Sequence, residues 1–185
     1  IEVKTSKNSA TALLAAALLN RGKTTLKHMP RIEEVYRLIE VLQSIGVSIR
    51  WVGNDLDITL PKHLALSRLN SQAAGKTRSI IMFIGPLAHL FDNFKLPHVG
   101  GCKLGLRSIR PHARALKELG ISIEKHPGAY HITHGKLHGG TIILSEASDT
   151  ATENALMAAA KIPDETGIKY ASANYQVQDL CFFLE

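Results

Sequence analysis

An internal repeat constrains the fold of this 185-residue chain more than any other feature of its sequence. The segment Ile45-Gly46-Val47-Ser48-Ile49 returns 74 residues later, position 45 matching position 119, as Leu119-Gly120-Ile121-Ser122-Ile123. In each copy a helical pattern precedes the glycine and two strand-like runs follow it. Self-similarity at a fixed period is typical of a fold that stacks one supersecondary unit several times.

The first unit, at about residues 1–70, has the pattern of a helix, a strand, a second helix and two strands. Its second helix is marked by apolar residues at helical spacing, among them Val35, Leu38 and Leu42, and Gly46 ends it. The predicted elements are a helix over 8–20, a strand over 24–27, a helix over 32–45, and strands over 47–52 and 56–60 joined at Gly53-Asn54.

The same order of elements returns in a second unit, at about residues 71–138, and begins again in a third, at 139–185. The third unit stops before the glycine and the closing strand pair. In the second unit we predict a helix over 78–91 with a kink at Gly85-Pro86, a strand over 94–96, a helix over 111–119, and strands over 121–125 and 130–133. In the third we predict a strand over 141–144, a helix over 151–161, a strand over 167–170 and a helix over 175–184.

The sequence therefore predicts an α/β (α+β) domain of three βαβαββ units, the third incomplete. A unit that cannot close its own sheet needs a neighbour, so we expect this chain to be a piece of something longer; the missing initiator Met agrees. The alternative is a family that ends there naturally, with a sheet edge that another element must cover.

Composition fits one globular domain rather than a membrane or disulfide-rich protein. Hydrophobic residues make up 45% of the chain, which is enough for a core. No apolar run approaches the roughly 18 residues of a membrane span, and no signal peptide is visible. Two cysteines are too few for a disulfide scaffold, so a cytoplasmic protein is expected.

The formal charge of +6 indicates either a mildly basic surface or an anionic partner. No basic run exceeds two residues, and neither zinc-finger spacing nor an aromatic RNA-binding signature occurs. Distributed charge favours a small anion over nucleic acid. We expect no metal, no cofactor and no membrane partner.

A glycine-rich loop is predicted over residues 97–107, between a strand and a helix. Within it, Cys102 stands beside Lys103 and near Arg107, a cationic setting that favours the thiolate. The alternatives are a loop cysteine with no role, or a nucleophile paired with His112 as in thiol hydrolases.

The first helix of each unit begins with cationic or hydroxyl residues. Lys7 and Asn8 stand there in the first unit, Arg78 in the second, and Thr150 and Thr152 in the third. Helix N-termini attract anions, so these ends would form a polyanion site if they converge. The alternative is a solvated Lys7 with Asn8 as the helix cap.

Four segments resemble the UDP-N-acetylglucosamine 1-carboxyvinyltransferases, the enolpyruvyl transferases of peptidoglycan synthesis, which are similar to EPSP synthase. They follow the family order and cover residues 6–154. Ser6-Lys7-Asn8-Ser9-Ala10 resembles Gly-Ala-Lys-Asn-Ala, Arg78-Ser79-Ile80 through Gly85-Pro86-Leu87 resembles the Arg-Ala-Ser…Gly-Pro-Leu helix, Gly100–Arg107 resembles the Gly-Gly-Cys-x-Ile-Gly-x-Arg loop, and Ala151-Thr152-Glu153-Asn154 with Met157-Ala158-Ala159 resembles the Ala-Thr-Glu-Asn helix.

The resemblance implies an enzyme of two inside-out α/β domains, each of three such units, with the active site between them. This chain would be one domain, and a second domain of the same fold would be its partner. The implied reaction adds a hydroxyl of UDP-N-acetylglucosamine to phosphoenolpyruvate and releases phosphate. That step belongs to cell-wall synthesis, and so to cell shape, cell cycle and division.

The resemblance also implies residue roles. Cys102 would be the target of fosfomycin and would act as acid in the addition step, and Lys7 would contact both substrates. Arg107 would hold the phosphate of phosphoenolpyruvate, and Asn8 the sugar nucleotide. The implied catalytic residues are Cys102 and Lys7, and the implied substrate-binding residues are Lys7, Asn8, Arg78, Arg107, Ser108, Ile109, Arg110, Pro111, His112, Ser148 and Thr150.

Three departures from the family pattern concern the nucleotide end of the site. Arg110 replaces the Asp of Arg-Pro-Val-Asp-Leu-His, Ser148-Asp149-Thr150 replaces Ser-Val-Gly, and residues 174–176 replace Glu-Pro-Glu. A different acceptor, such as another nucleotide or a shikimate-type compound, is therefore an alternative, although Lys7 and Cys102 favour the sugar nucleotide. A non-catalytic domain that binds anions or nucleic acid on the same fold is a second alternative.

Overall fold

A computed structural model describes residues 5–98 and 108–185. Helices and strands alternate along the chain much as the sequence predicts. The helices are α1 (Lys7–Ala16), α2 (Glu33–Ser44), α3 (Ser71–Ala74), α4 (Ile84–Leu87), α5 (Arg110–Lys117), α6 (Asp149–Ala159) and α7 (Tyr175–Leu184). The strands are β1 (Lys23–Leu26), β2 (Ser48–Val52), β3 (Asp55–Thr59), β4 (Asn93–Pro97), β5 (Ile121–His126), β6 (Ala129–His134), β7 (Thr141–Ile143) and β8 (Gly167–Lys169).

Two three-stranded antiparallel sheets have the same strand order, β1-β3-β2 and β4-β6-β5. The 74-residue offset extends to their register, because Ile49 pairs with Ile58 and Ile123 pairs with Ile132. A third sheet is the parallel pair β7-β8, whose strands are connected through α6. The predicted mixed α/β class is confirmed, while the boundaries of the three units stay a prediction.

The glycine that ends the repeated helix has the same backbone conformation in both copies. Gly46 has φ +101° and Gly120 has φ +89°, values at which a side chain is strained. Each glycine lets the chain leave a helix and turn directly into a strand, which explains why the repeat is most visible there.

The helix predicted over 78–91 is shorter in the structure and is not one continuous α-helix. The chain forms a 3-10 helix, Arg78–Phe83, followed by the short α4, Ile84–Leu87. Pro86 has no N–H to donate to a carbonyl one turn earlier, so a continuous α-helical ladder cannot pass through it. The sequence also gave no sign of α3 or of the 3-10 helix Leu66–Arg68.

The first helices of the three units form the inside of the domain. Residues of α1, of the Arg78–Phe83 helix and of α6 are buried on nearly all sides, and Leu14, Phe83 and Met157 have no exposed area. The two antiparallel sheets lie outside them and present one apolar face inward, through residues such as Ile58 and Ile132. In the described ranges no helix is long and apolar enough to span a membrane.

Candidate active site

The N-terminal ends of the inner helices meet at one cleft of about 1150 Å³. Lys7 begins α1, Arg78 begins the 3-10 helix, and Ser148 precedes α6. Helix N-termini carry partial positive charge and unpaired N–H groups, so their convergence creates a setting for anions. The predicted site residues that line the cleft are Lys7, Asn8, Arg78, Ser108, Arg110, Pro111, His112, Ser148 and Thr150.

A hydroxyl side chain caps each of these helix starts. Ser6 Oγ accepts a hydrogen bond from the N–H of Ser9, Thr77 Oγ1 accepts one from Ser79, and Ser148 Oγ accepts one from Ala151. The alternative that Asn8 caps α1 is therefore wrong, because Asn8 lies within the first turn. Lys7 and Asn8 follow this cap in the first turn of α1, and both line the cleft.

Glu34 of α2 fixes Lys7 at the rim of the cleft. Its carboxylate lies 2.7 Å from Lys7 Nζ and accepts hydrogen bonds from Ser79 Oγ (2.5 Å) and Thr77 Oγ1 (3.1 Å). Burial raises the pKa of Glu34, but the bonds from Lys7 and Ser79 outweigh it and leave the pKa below its ordinary value. The Lys7 side chain remains 56% exposed, so it is positioned and still accessible to a ligand.

Sequence reasoning missed Glu34. Its partners Thr77 and Ser79 are more than 40 residues away in the chain, and no local motif marks it. The one available signal was its place in the first turn of α2, where an acidic residue also complements the helix dipole.

His112 is a buried and neutral link between α5 and α6. Its Nδ1 lies 3.2 Å from Asn154 Nδ2, and its Nε2 lies 3.2 Å from Thr150 Oγ1. Because the amide nitrogen only donates, Nδ1 accepts, and Nε2 carries the proton and donates to Thr150. Burial, helped by the charge of Arg78, lowers the pKa of His112 to about 4. With both nitrogens engaged, His112 is poorly placed to act as base for a thiol hydrolase.

Asn154 connects this histidine to the kinked second-unit helix. Its Oδ1 accepts a hydrogen bond from the N–H of Gly85 at 2.8 Å, and its Nδ2 also donates to the carbonyl of Ile81 at 2.9 Å. A Cβ on Gly85 would lie 2.6 Å from the carbonyl oxygen of Asn154. The Gly-Pro-Leu and Ala-Thr-Glu-Asn motifs are therefore two halves of one helix contact.

Several cations line the cleft beside the start of α5. Arg78 Nη2 donates to the carbonyl of Ser108 at 3.1 Å and so joins the second-unit helix to that start. Lys76, Arg110 and Arg114 also line the cleft, and among the described residues no carboxylate lies within 4.0 Å of them. Their charge is available to an anionic ligand.

Three predicted site residues are not placed in the cleft. Cys102 and Arg107 lie outside the described residues, so the structure says nothing about the roles predicted for that loop. Ile109 precedes α5, and its half-buried side chain packs against the hydrophobic core. In ranges 5–98 and 108–185 no group of three or more His, Cys, Asp or Glu side chains is arranged to hold a metal ion.

Residues 1–185 match the EPSP synthase (3-phosphoshikimate 1-carboxyvinyltransferase) family. The chain belongs to this family. Among its relatives are the UDP-N-acetylglucosamine 1-carboxyvinyltransferases of Helicobacter pylori (strain ATCC 700392 / 26695), 34% identical over 187 residues, and of Treponema denticola, 35% identical over 184 residues. Each alignment covers 100% of this chain but only 44% and 43% of the relative, so the chain spans less than half the length of these enzymes.

Solved structures of this family share the fold. The enolpyruvyl transferase NikO from Streptomyces tendae superposes with a TM-score of 0.81 over 98% of this chain and 42% of its own, at 16% identity. An EPSP synthase from Acinetobacter baumannii gives a TM-score of 0.70 over 96% and 42%, at 19% identity. At these identities the likeness concerns the fold alone, and it agrees with an EPSP synthase-family domain.

Proposed function

We propose that the protein containing this chain transfers the enolpyruvyl group of phosphoenolpyruvate to a hydroxyl of UDP-N-acetylglucosamine and releases phosphate. This chain would be the domain that carries the Cys102 loop. The observation that carries the proposal is the convergence of Lys7, Asn8, Arg78 and Ser148, from three parts of the chain, on one cleft that Lys76, Arg110 and Arg114 also line. The names of the relatives support the choice of substrates.

Each step of the reaction moves negative charge, and the cleft offers cations for it. The sugar hydroxyl gives its proton to a general base as its oxygen bonds to C2 of phosphoenolpyruvate and C3 takes a proton. A proton then leaves C3, phosphate leaves C2, and the C2–C3 double bond is restored. Lys7, held by Glu34 and still exposed, would contact both substrates, and Arg78 would hold an anionic group. Cys102 would act as the acid for the addition, and Arg107 would bind the phosphate.

A second domain of the same fold would close the cleft from the opposite side. The chain spans only 44% of the length of its Helicobacter relative, which leaves room for such a domain there. The resemblance to the family implies that the general base would come from this second domain. The isolated chain is then expected to be inactive. We place the protein in the cytoplasm, where it would act in peptidoglycan synthesis without a cofactor.

One observation favours an alternative acceptor. Arg110 stands where the carboxyvinyltransferases of peptidoglycan synthesis carry Asp, and Arg114 and Lys76 lie in the same cleft. These three cationic side chains suit an acceptor with a further anionic group, such as a nucleoside monophosphate or a phosphorylated shikimate-type compound. It would also suit a non-catalytic anion-binding domain.

Phosphate release by the full-length protein tests the proposal. We expect release that requires both phosphoenolpyruvate and UDP-N-acetylglucosamine, and that stops after treatment with fosfomycin. No release with this acceptor would reject it. Phosphate release that resists fosfomycin would support the proposed reaction and contradict a reactive Cys102. Cys181→Ala is the matched control, and fosfomycin should inhibit it as strongly as it inhibits the wild type.

A further inference from the structure

Glu153 is a buried carboxyl group that lines the cleft. It lies one turn after Asp149 on α6, is only 2% exposed, and its Oε1 has no hydrogen-bond partner among the described residues. A buried polar atom without a partner costs folding free energy, so such an atom calls for an explanation. Its position in the cleft points to a ligand as the missing partner.

The charged groups around Glu153 do not neutralise it. On its own helix Asp149 is an acid, occupied by Asn174 and Gln176. From α5, His112 is neutral and bonded at both nitrogens. On the other elements packed against α6, Arg78 bonds Ser108, Lys7 bonds Glu34, and Asp179 of α7 accepts from Ser9. The cations of α5 are Arg110, Arg114 and Lys117, and among the described residues none of them forms an ion pair with Glu153.

The carboxyl group is consequently neutral over most of the physiological range. Burial, followed by the charge of Asp149, raises the pKa of Glu153 to about 8. A protonated carboxyl has a hydrogen to donate, which an ionised one lacks.

We propose that Glu153, in its protonated form, donates a hydrogen bond to an oxygen of the anionic ligand bound in the cleft. This inference rests on the proposed function only for the identity of the ligand. An anion next to Glu153 disfavours the ionised carboxylate, so the two stabilise each other. By linkage, binding above neutral pH must take up part of a proton at Glu153.

Calorimetry at pH 8 in two buffers of different ionisation enthalpy measures that proton uptake. The full-length protein is titrated with phosphoenolpyruvate, and with inorganic phosphate as a probe independent of the reaction. We expect uptake of a fraction of a proton per ligand in the wild type. Glu146→Gln, which replaces an exposed carboxyl of the same cleft, should take up as much. Glu153→Gln, which lacks the buried carboxyl, should take up less.

Affinity separates the donor from a packing effect. Glu153→Gln keeps an N–H donor, so its affinity at pH 7 should match the wild type and should not fall above pH 8. Glu153→Leu should bind about tenfold more weakly or worse. Equal proton uptake in Glu153→Gln and the wild type, or no binding of either anion, would overturn the inference. Binding of phosphoenolpyruvate with no turnover would reject the proposed reaction alone.

Discussion

Asn154 Oδ1 lies 2.8 Å from the backbone nitrogen of Gly85 and accepts its hydrogen bond. This bond joins α6 to the kinked helix of the second unit, and the Nδ2 of the same amide reaches the carbonyl of Ile81 and the ring of His112. One side chain with no exposed area thus connects three elements that line or support the cleft.

Gly85→Ala should destabilise the fold. The new methyl would lie 2.6 Å from a backbone oxygen of Asn154 and force two buried helices apart, at about 1–3 kcal/mol. Chemical denaturation measures the loss. Gly135→Ala is the matched control, because no atom lies within 4 Å of its added methyl; equal losses in the two variants would contradict the close contact.

The stability of the protein should fall with rising pH because of Glu153. Its pKa rises from 4.5 when unfolded to about 8 when folded, so between these values the folded state holds more protons than the unfolded state. The contribution is complete below pH 4.5 and is lost as pH rises through 8, on the order of 5 kcal/mol.

Denaturation curves between pH 5 and pH 8.5 measure this dependence. Glu153→Gln should remove it, whereas Glu146→Gln should keep it. A pH profile that is identical in the wild type and in Glu153→Gln would show that Glu153 ionises normally.

Lys7→Ala should lower kcat/KM by about a hundredfold or more, since it removes a cation from the reacting groups. Lys23→Ala is the matched control: Lys23 is 59% exposed and ion-paired with Asp57, as Lys7 is 56% exposed and paired with Glu34, but it lies on β1 outside the cleft. Steady-state kinetics compare the two. Equal, small losses would remove Lys7 from the site.

Arg110→Asp distinguishes the two proposed acceptor classes. Restoring the acid of the peptidoglycan enzymes should lower the KM for UDP-N-acetylglucosamine if that is the acceptor. If the acceptor carries a further anionic group near Arg110, the reversal of charge should weaken its binding by about tenfold or more. Measuring KM with each acceptor in turn decides between them.

The repeat could be predicted from the sequence because the signals that mark each copy, apolar spacing and a glycine at the helix end, involve residues close together in the chain. The apolar spacing of Val35, Leu38 and Leu42 predicted α2, and the glycines at 46 and 120 marked where helix becomes strand. The 74-residue offset then carried over to the strand register, which pairs Ile49 with Ile58 and Ile123 with Ile132.

The contacts that build the candidate site could not be predicted, because they join residues that are distant in the sequence. The bond between Gly85 and Asn154 and the bond between Glu34 and Ser79 each join residues that are more than 40 positions apart in the chain, so both form only after the units pack together. The resemblance named His112 as a site residue, but only the structure shows it neutral and bonded at both nitrogens. The cap of α1 is Ser6, whose backbone is extended and whose hydroxyl accepts from the N–H of Ser9, and Asn8 lies inside the helix.

The identity of the product tests the proposed reaction most directly. Full-length protein is incubated with phosphoenolpyruvate and UDP-N-acetylglucosamine, and the nucleotide fraction is analysed by mass spectrometry. We expect UDP-N-acetylglucosamine carrying an added enolpyruvyl ether, formed in step with phosphate and much more slowly in Lys7→Ala than in Lys23→Ala. Unmodified UDP-N-acetylglucosamine beside intact phosphoenolpyruvate, from protein that binds both, would contradict it.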